Sequence, residues 1–314
     1  MRPTSIRRFL AAIACAALAG CTAAPPGPAP IVGLPLAGAG CVIQRVVSLP
    51  VALPRGQPLV QARIDGQPVT LLVDTGAEGS LLTTAALARL GITAEPGHTV
   101  RLLGAGGGIA GGIVRLRSFS LDGLVLRDPV IAVGPAFPRE PGAPMVDGIL
   151  GADVLGAFDV AFDLPHGRIT LWHIGVCTGD TGDSPAGYDA IPLRRIRRSR
   201  MVLIAAIDGR AVSALLDTGA QVSVMPPETA AYLGIDMRRL GRPSAGRGLD
   251  ARRLPVWRLR FHSLRVGRQV TREPTIDIAA VQLPDEAMLL GDDWLGTHAV
   301  WLSYNENRLF VRKP

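Results

Sequence analysis

The sequence predicts a mostly β protein built from two homologous, β-barrel-like lobes with short helices and a cleft between them. Three observations support this prediction. The chain of 314 residues is 48% hydrophobic and contains 37 Gly and 26 Pro, a composition that suits turn-rich β domains. Its second half repeats its first half. In both halves, apolar segments flank Asp-Gly dipeptides, which favour tight β-hairpins.

The repeat becomes visible when the sequence is shifted by 143 residues. Residues 64–92 and 207–235 then match at 14 of 29 positions without a gap. Among the matches are the tetrapeptides that begin at Asp74 and Asp217, both of which read Asp-Thr-Gly-Ala. Such a match indicates a duplication, and each copy is expected to form one lobe.

Each copy is predicted to contain the same elements. Two strands meet at an Asp-Gly turn, the second strand runs into the Asp-Thr-Gly-Ala loop, and a short helix follows and ends at a glycine. Farther on, two hydrophobic residues precede Gly151 and Gly291, which lie 77 and 74 residues after the respective aspartates. Asp153 and Asp293 are interpreted as structural residues that cap a second short helix. The predicted strands lie at 59–64, 69–73, 201–207 and 212–216 and within 158–171 and 300–311, and the predicted helices at 84–90 and 227–233.

Residues 1–20 have the pattern of a signal peptide. Three arginines precede an apolar segment, 9–19, that is too short to span a bilayer. Small residues then precede Cys21, which resembles the lipobox of bacterial lipoproteins and predicts that this cysteine is lipidated. In such lipoproteins, an aspartate directly after the cysteine favours the inner membrane. Here the residue is Thr22, which favours the outer membrane, facing the periplasm. The alternative is an ordinary secretory signal with an incidental cysteine.

Composition divides the rest of the chain. Residues 22–40 are rich in Pro, Gly and Ala and cannot bury a core, which predicts a tether. A stretch rich in Gly, Asp and Ser marks the junction between the copies. The predicted division is a signal peptide at 1–20, a linker at 21–44, a first lobe at 45–175, an inter-lobe linker at 176–190 and a second lobe at 191–314.

Two cysteines, Cys41 and Cys177, remain once Cys15 is removed with the signal peptide and Cys21 is acylated. An even pair in an oxidising compartment favours a disulfide. Cys41 lies just ahead of the first copy and Cys177 just ahead of the second. We expect the two to be bonded, against the alternative of two free thiols.

Asp74 and Asp217 are the predicted catalytic residues. Each follows an apolar segment, so its carboxyl group is expected at the floor of a cleft. Gly76 and Gly219 allow the two loops to approach each other closely. Two carboxyl groups at that separation share one proton. The ionised group can deprotonate a water while the protonated group donates to a carbonyl oxygen, a chemistry for which no metal or other cofactor is expected.

These motifs resemble those of the retropepsin-like aspartic peptidases, the clan that contains retroviral proteases and pepsin. The resemblance covers residues 45–314 and depends on the two loops together with their hydrophobic-Gly elements. It implies an acid-protease-like fold in which Thr75 and Thr218 interlock the two loops. The glycine elements would pack behind the loops. The other residues implied to support the loops are Gly76, Ala77, Gly219 and Ala220.

The family also has a flap, a β-hairpin that folds over a bound peptide. The candidates are the glycine-rich segment 103–108 in the first copy and 243–248 in the second. A glycine-rich tip can lay its backbone amides against a peptide, whereas the alternative is a surface loop without that role. The predicted flap residues are Gly104, Ala105, Gly106, Gly107, Ser244, Ala245 and Gly246.

The sequence differs from pepsins in two ways that bear on the family pattern and on the expected pH optimum. The first flap candidate has no tyrosine, so the retroviral pattern fits better. Ala77 and Ala220 stand where pepsins usually carry a hydroxyl, which would lower the pKa of the aspartate. We therefore expect a less acidic pH optimum.

The sequence thus predicts an aspartic endopeptidase that acts on a peptide or protein substrate and is anchored to the membrane through Cys21. The alternative is a non-catalytic, lipid-anchored peptide-binding protein that keeps the fold. Intact motifs in both copies favour the enzyme. Because one chain holds both copies, we expect a monomer in which the lobes pair intramolecularly, rather than pairing between molecules.

The formal net charge of +7 comes almost wholly from arginine and is scattered along the chain, so nucleic-acid binding is not expected. The densest run of arginines lies at 193–200. We interpret this run as a solvated linker or as an edge strand protected by charge. The alternative is contact with anionic lipid.

Overall fold

The structure is a computed structural model, and it describes residues 41–104, 107–137, 142, 144–177, 187–197, 199–247 and 253–313. The predicted signal peptide, Cys21 and most of the predicted tether lie outside the described residues. Within the described part of the chain, no helix combines the length and the apolar character that crossing a membrane requires.

Most of the described chain is β-strand. The strands of the first half are β1 (Cys41–Pro50), β2 (Leu59–Ile64), β3 (Gln67–Val73), β4 (Leu81–Thr83), β5 (Val100–Gly104), β6 (Gly107–Arg115), β7 (Ser118–Leu121), β8 (Leu124–Arg127), β9 (Val130–Gly134), β10 (Gly148–Leu150), β11 (Asp159–Asp163) and β12 (Arg168–Cys177). Those of the second half are β13 (Tyr188–Pro192), β14 (Arg194–Ile196), β15 (Arg200–Ile207), β16 (Arg210–Leu216), β17 (Val224–Met225), β18 (Ser244–Arg247), β19 (Arg253–Arg260), β20 (Ser263–Val266), β21 (Gln269–Arg272), β22 (Thr275–Ala279), β23 (Met288–Leu290), β24 (Val300–Ser303) and β25 (Arg308–Arg312).

The helices are short. The α-helices are α1 (Thr84–Leu90), α2 (Ala152–Leu155), α3 (Pro227–Tyr232) and α4 (Asp292–Leu295), and single turns of 3₁₀ helix cover Pro54–Gly56, Leu164–His166 and Met237–Arg239. Helix α1 ends at Gly91, which adopts a left-handed conformation with φ of 67°. This is the glycine stop that the sequence predicted for the helix after the first Asp-Thr-Gly-Ala loop.

Each lobe is built on one large sheet, and the two sheets have the same strand order. The first runs β5-β6-β9-β4-β10-β3-β2-β7-β8. The second runs β18-β19-β22-β17-β23-β16-β15-β20-β21, with β14 added beside β15. Position by position the two orders correspond. The predicted fold class, mostly β with two homologous lobes, is confirmed.

The Asp-Gly dipeptides form the hairpin turns that the sequence predicts. Asp65 and Gly66 have φ of 50° and 83°, and Asp208 and Gly209 have φ of 48° and 82°. Two successive residues with positive φ match the right-handed twist of the strands on either side, which is why Asp-Gly is favoured here. The turns fix the register of β2 on β3 and of β15 on β16, so that the buried faces of these strands coincide.

A third sheet joins the lobes, with the order β1-β12-β11-β24-β25-β13. At its centre β11 of the first half pairs with β24 of the second half, with Asp159 opposite Ser303. Strands β1 and β13 form its edges, so the bounds of two predicted linkers need correction. The last residues of the predicted linker 21–44 belong to β1. The first residues of the predicted linker 176–190 belong to β12, and its last residues belong to β13. These segments form strands because they hydrogen-bond to the joint sheet.

The core between the sheets consists mainly of Val, Leu and Ile, as the composition requires. The few large aromatic side chains are concentrated on the joint sheet. Trp301, Phe162 and Phe310 are fully buried there, with Trp172 stacked on Trp301 at a ring distance of 5.7 Å. These rings contribute a large apolar area at the junction of the lobes.

Cys41 stands directly opposite Cys177 at the end of the β1–β12 ladder. Opposed residues of antiparallel strands have Cα atoms about 4.5–5.5 Å apart, a separation that a disulfide can span. The side chains of both cysteines lie outside the described residues, so the bond stays a prediction.

We expect protein matured in an oxidising compartment to contain this disulfide. Because it closes a loop of more than one hundred residues, the chain-entropy model gives a stabilisation of about 5 kcal/mol. Thermal unfolding should therefore occur at a lower temperature in Cys41→Ser and, equally, in Cys177→Ser. Mass spectrometry of a non-reduced digest checks the linkage directly. Two thiols that react with an alkylating reagent in the oxidised native protein would contradict it.

Candidate active site

Asp74 and Asp217 stand at the carboxyl ends of β3 and β16, one in each lobe. Strand β3 lies parallel to the buried strand β10, and β16 lies parallel to the buried strand β23. Strands β10 and β23 end directly before Gly151 and Gly291, the glycines of the two hydrophobic-Gly elements. The amide of Asp74 donates to Leu150 O at 3.0 Å, and the amide of Asp217 donates to Leu290 O at 3.0 Å. The apolar strands thereby hold both aspartates in the interior, where they are 6% and 9% exposed.

The structure brings the two carboxyl groups face to face. A Cβ atom at Gly76 would lie 2.6 Å from Asp217 Cγ, and one at Gly219 would lie 2.5 Å from Asp74 Cγ. Any side chain at these glycines would therefore displace a carboxyl group. The two carboxyl groups share a hydrogen bond. The glycines of the two loops are thus what permits the aspartates of two lobes to form one pair.

Thr75 and Thr218 tie the two loops together. The amide of each threonine donates to the hydroxyl oxygen of the other at 3.1 Å. The Thr75 hydroxyl in turn donates to Leu216 O at 2.6 Å, and the Thr218 hydroxyl donates to Val73 O at 2.8 Å. Both threonines are fully buried, so these bonds satisfy polar groups that water cannot reach. The arrangement is the interlock that the family resemblance implies.

Two serines that the sequence analysis missed connect the loops to the glycine elements behind them. Ser80 Oγ donates to Asp153 at 2.7 Å and accepts from the amide of Gly151 at 3.0 Å. In the second lobe, Ser223 Oγ donates to Asp293 at 2.8 Å and accepts from the corresponding glycine amide at 3.1 Å. The sequence could have indicated their importance, because Ser80 and Ser223 occupy the same position in the two copies.

Asp153 and Asp293 therefore have a structural role, but not the predicted one of helix cap. The N-cap positions of α2 and α4 are Gly151 and Gly291. A Cβ atom on Gly151 would lie 2.6 Å from the backbone of Gly79, so the cap has no room for a side chain. The aspartates are the second residues of these helices, and each accepts from a serine hydroxyl and from the amide that follows it.

The two catalytic candidates differ in their electrostatic surroundings. Burial raises the pKa of Asp74, but its Oδ1 accepts hydrogen bonds of 2.9 Å from the amides of Gly76 and Ala77, which oppose that rise. Burial, and next the negative charge of Asp74, raise the pKa of Asp217 well above its ordinary value. Asp217 therefore keeps its proton at a pH at which Asp74 is ionised.

Comparison with protein families gives one match in each lobe. Residues 60–154 match the family described as aspartyl protease, and residues 204–297 match the gag-polyprotein aspartyl proteases. Each match contains an Asp-Thr-Gly-Ala loop and a glycine element, and together they span more than half of the chain. The chain belongs to the aspartyl protease family. The predicted resemblance to a duplicated retropepsin-like protease is confirmed. A comparison with curated proteins finds no match.

In this aspartyl protease family member, each lobe carries a β-hairpin at the predicted flap position. Strands β5 and β6 form the first hairpin, in which Gly104 pairs with Gly107. Between them, Ala105 and Gly106 lie outside the described residues. Contact of either hairpin with a substrate stays a prediction. Strands β18 and β19 form the second hairpin, and β18 contains the remaining predicted flap residues, Ser244, Ala245 and Gly246.

The seam between the lobes differs at its two ends. At one end, Gln57 Nε2 donates to Gly219 O at 3.2 Å, and Gln57 Oε1 accepts from Gln221 at 3.0 Å. At the other end, Arg200 Nε lies 3.7 Å from the carboxylate of Glu78. In the repeat, Arg200 corresponds to Gln57 and Glu78 corresponds to Gln221. The duplicated lobes therefore contact each other through neutral amides at one end and through charges at the other.

Described arginines of the run 193–200 contact other parts of the same protein. Strand β14 is an edge strand paired with β15, in agreement with one of the two structural interpretations. Arg197 lies 2.8 Å from Asp285 and 3.4 Å from Glu78, and Arg200 lies 3.1 Å from Glu286. These arginines neutralise acidic groups at the junction of the lobes.

The threonine interlock gives a test of the site's construction. Replacing Thr75 or Thr218 by alanine leaves buried amide and carbonyl groups without partners, which costs about 1–3 kcal/mol for each variant. Equilibrium unfolding in denaturant measures the loss. The matched serine variants keep the hydroxyl and should retain most of the stability. Alanine variants as stable as the serine variants would show that the interlock does not hold the loops together.

Proposed function

We propose that the protein is an aspartic endopeptidase that hydrolyses peptide bonds with a water molecule activated between Asp74 and Asp217. The observation that carries this proposal is the pair of buried, hydrogen-bonded carboxyl groups, one from each lobe. Membership of the aspartyl protease family supports a peptide or protein substrate. The reaction proceeds by general acid–base catalysis and forms no covalent bond to the protein.

In the proposed mechanism Asp74 is the base and Asp217 is the acid. Asp74 takes a proton from the water as the water oxygen attacks the carbonyl carbon, and Asp217 gives its proton to the carbonyl oxygen. The product of this step is a neutral tetrahedral diol. Asp74 then protonates the leaving nitrogen, the C–N bond breaks, and a diol hydroxyl returns a proton to Asp217. The pair ends the cycle with one proton, as it began.

The differences between the two surroundings support this assignment of roles. Asp74 Oδ1 accepts from two amides, those of Gly76 and Ala77, which stabilise its negative charge, whereas Asp217 Oδ1 accepts from the amide of Gly219 at 2.9 Å. The same charge keeps the proton on Asp217. An ionised base and a protonated acid are therefore present together before substrate arrives.

We further propose that the protein works at the bacterial cell envelope, anchored by a lipid on Cys21 and facing the periplasm from the outer membrane. The support is the pattern of residues 1–21 together with the Pro/Gly/Ala-rich stretch 22–40, which is long enough to hold the lobes away from the bilayer. A lipidated cysteine would attach the protein without a membrane-spanning segment.

The proposed activity is tested by digesting a peptide library with the purified protein and with Asp74→Asn and Asp217→Asn. Each substitution removes one of the two proton-transfer groups, so cleavage should fall about 10²–10⁴-fold. Asp236→Asn is the matched control, because the side chain of this aspartate is 35% exposed and pairs with Arg238, two residues farther along the chain. Binding of peptides without cleavage by the unaltered protein would favour the peptide-binding alternative, and undiminished cleavage in both variants would refute the assignment.

The dependence of cleavage on pH is a separate prediction. Activity requires Asp74 ionised and Asp217 protonated, and burial raises the pKa of both groups. Ala77 and Ala220 supply no hydroxyl that would lower these values. We therefore expect the rate to be greatest above pH 4, the region of an ordinary carboxyl group. A maximum of kcat/KM below about pH 4 would contradict the prediction.

A further inference from the structure

One buried acid near the site takes no part in the proposed mechanism. Asp292 is the first residue of α4, directly after Gly291, and its amide donates to Ala220 O in the second active-site loop at 2.8 Å. Its side chain is 4% exposed. Neither carboxyl oxygen has a hydrogen-bond partner. A buried carboxyl group in this condition is costly, because it has lost its water and gained no bond.

The first lobe shows that the fold does not require an acid at this position. Ala152 begins α2 in the same way, and its amide donates to Ala77 O at 2.9 Å. The backbone arrangement is the same in both lobes, and the Ala152 side chain is fully buried. The carboxyl group of Asp292 is therefore an addition peculiar to the second lobe.

The surroundings of Asp292 disfavour its charge. Across the seam, its Cβ atom lies 3.7 Å from where a Cβ atom on Gly56 would stand. Among the described side chains, the charged groups that act on it are acids: Asp217 in the second loop, Asp293 on its own helix and Asp74 in the first lobe. Burial, and then these charges, raise the pKa of Asp292 to about 9. At neutral pH the group is a neutral carboxylic acid.

Two described neighbours along the seam are uncharged. Gln57, which follows Gly56, and Gln221, which follows Ala220, are neutral and bind each other. Among the side chains that the structure describes, Arg200 is the nearby cation that acts on the catalytic pair, and it is bound to Glu286 and Glu78. No side chain in the described part of the chain is a counter-ion for an ionised Asp292.

We propose that Asp292 is a pH-sensitive latch that closes the second active-site loop against the lobe seam when the acid is protonated. In the closed state the acid is buried next to Gly56 and neutral. In an opened state it meets water and ionises, which releases one proton. Opening is thus favoured as pH rises, and the first lobe, with Ala152 in the same place, has no such latch. The proposal goes beyond the peptidase activity and does not depend on it.

The direction of the effect follows from proton linkage. The closed state holds its proton up to about pH 9, whereas the exposed acid loses it near the ordinary value of 3.8. Between these limits the closed state binds one more proton than the opened state. The latch is therefore strongest at the acidic end of the window and weakens as pH rises, about tenfold in the opening equilibrium for each pH unit.

Hydrogen exchange of the full-length protein and of Asp292→Asn tests the latch, with exchange rates corrected for their intrinsic dependence on pH. The amides to follow in the second lobe are those of Asp217 and Asp292. We expect the ratio of protection in Asp292→Asn to protection in the wild type to rise about tenfold per pH unit between pH 5 and 9. The amide of Leu116, which donates to Pro129 O at 3.0 Å in the first lobe and takes no part in the threonine interlock, is the control within the same molecule, and its ratio should stay constant.

A second control separates the latch from the general effect of removing a buried acid. Asp159 in β11 is also buried with a raised pKa, and it binds Trp301 Nε1 at 3.1 Å. Asp159→Asn should leave the ratio for the second loop unchanged with pH. A flat ratio in Asp292→Asn would overturn the proposal, and so would an equal rise at the Leu116 amide. Neither result depends on cleavage, so loss of the latch and failure of the peptidase proposal are distinguishable.

Discussion

The close approach of two carboxyl groups is the constraint on which the rest of the structure depends. Two buried carboxyl groups repel each other when both are ionised, so other contacts in the protein must hold them close together. The threonine interlock supplies four hydrogen bonds between the loops, and the glycines beside the carboxyl groups remove the side chains that would separate them. The joint sheet then fixes the lobes behind the loops. A single shared proton is the electrostatic consequence.

The two lobes and the facing aspartates could largely be predicted from the sequence, because the same motifs occur in both copies of the repeat. The Asp-Gly turns, the helix stop at Gly91 and the Asp-Thr-Gly-Ala loops are local patterns, each with its own backbone requirement. Repetition in register separates them from chance matches. The paired lobes and the facing aspartates follow from these patterns without any knowledge of long-range contacts.

The rest depends on contacts between residues far apart in the sequence. The bonds from Ser80 to Asp153 and from Ser223 to Asp293 span 73 and 70 residues, so no local pattern reveals them. The joint sheet takes β1 and β13 from segments whose composition resembles a linker. Asp292 follows a motif glycine and looks like an ordinary first-turn acid, and only its burial and missing partners distinguish it.

Duplication also explains why the site is asymmetric. A protease made of two identical chains must have the same residue at both ends of the seam, whereas one chain can vary them separately. Here the counterpart of the neutral Gln57 is the cation Arg200, and the counterpart of Ala152 is Asp292, which can ionise. At these two positions the second lobe has ionisable groups, whereas the first has a neutral amide and a methyl group. Such differences permit the two aspartates to hold different roles and the two loops to respond differently to pH.

The central claim is that Asp74 and Asp217 form one titrating unit. Carboxyl ¹³C NMR of aspartate-labelled protein, followed through a pH titration, tests it most directly. The account predicts that the signals of both residues respond to the same two proton losses, and that Asp74→Asn converts the response of Asp217 into a single step at lower pH. Two independent titrations, each near the ordinary value of a solvated aspartate and unaffected by substitution of the other residue, would contradict the account.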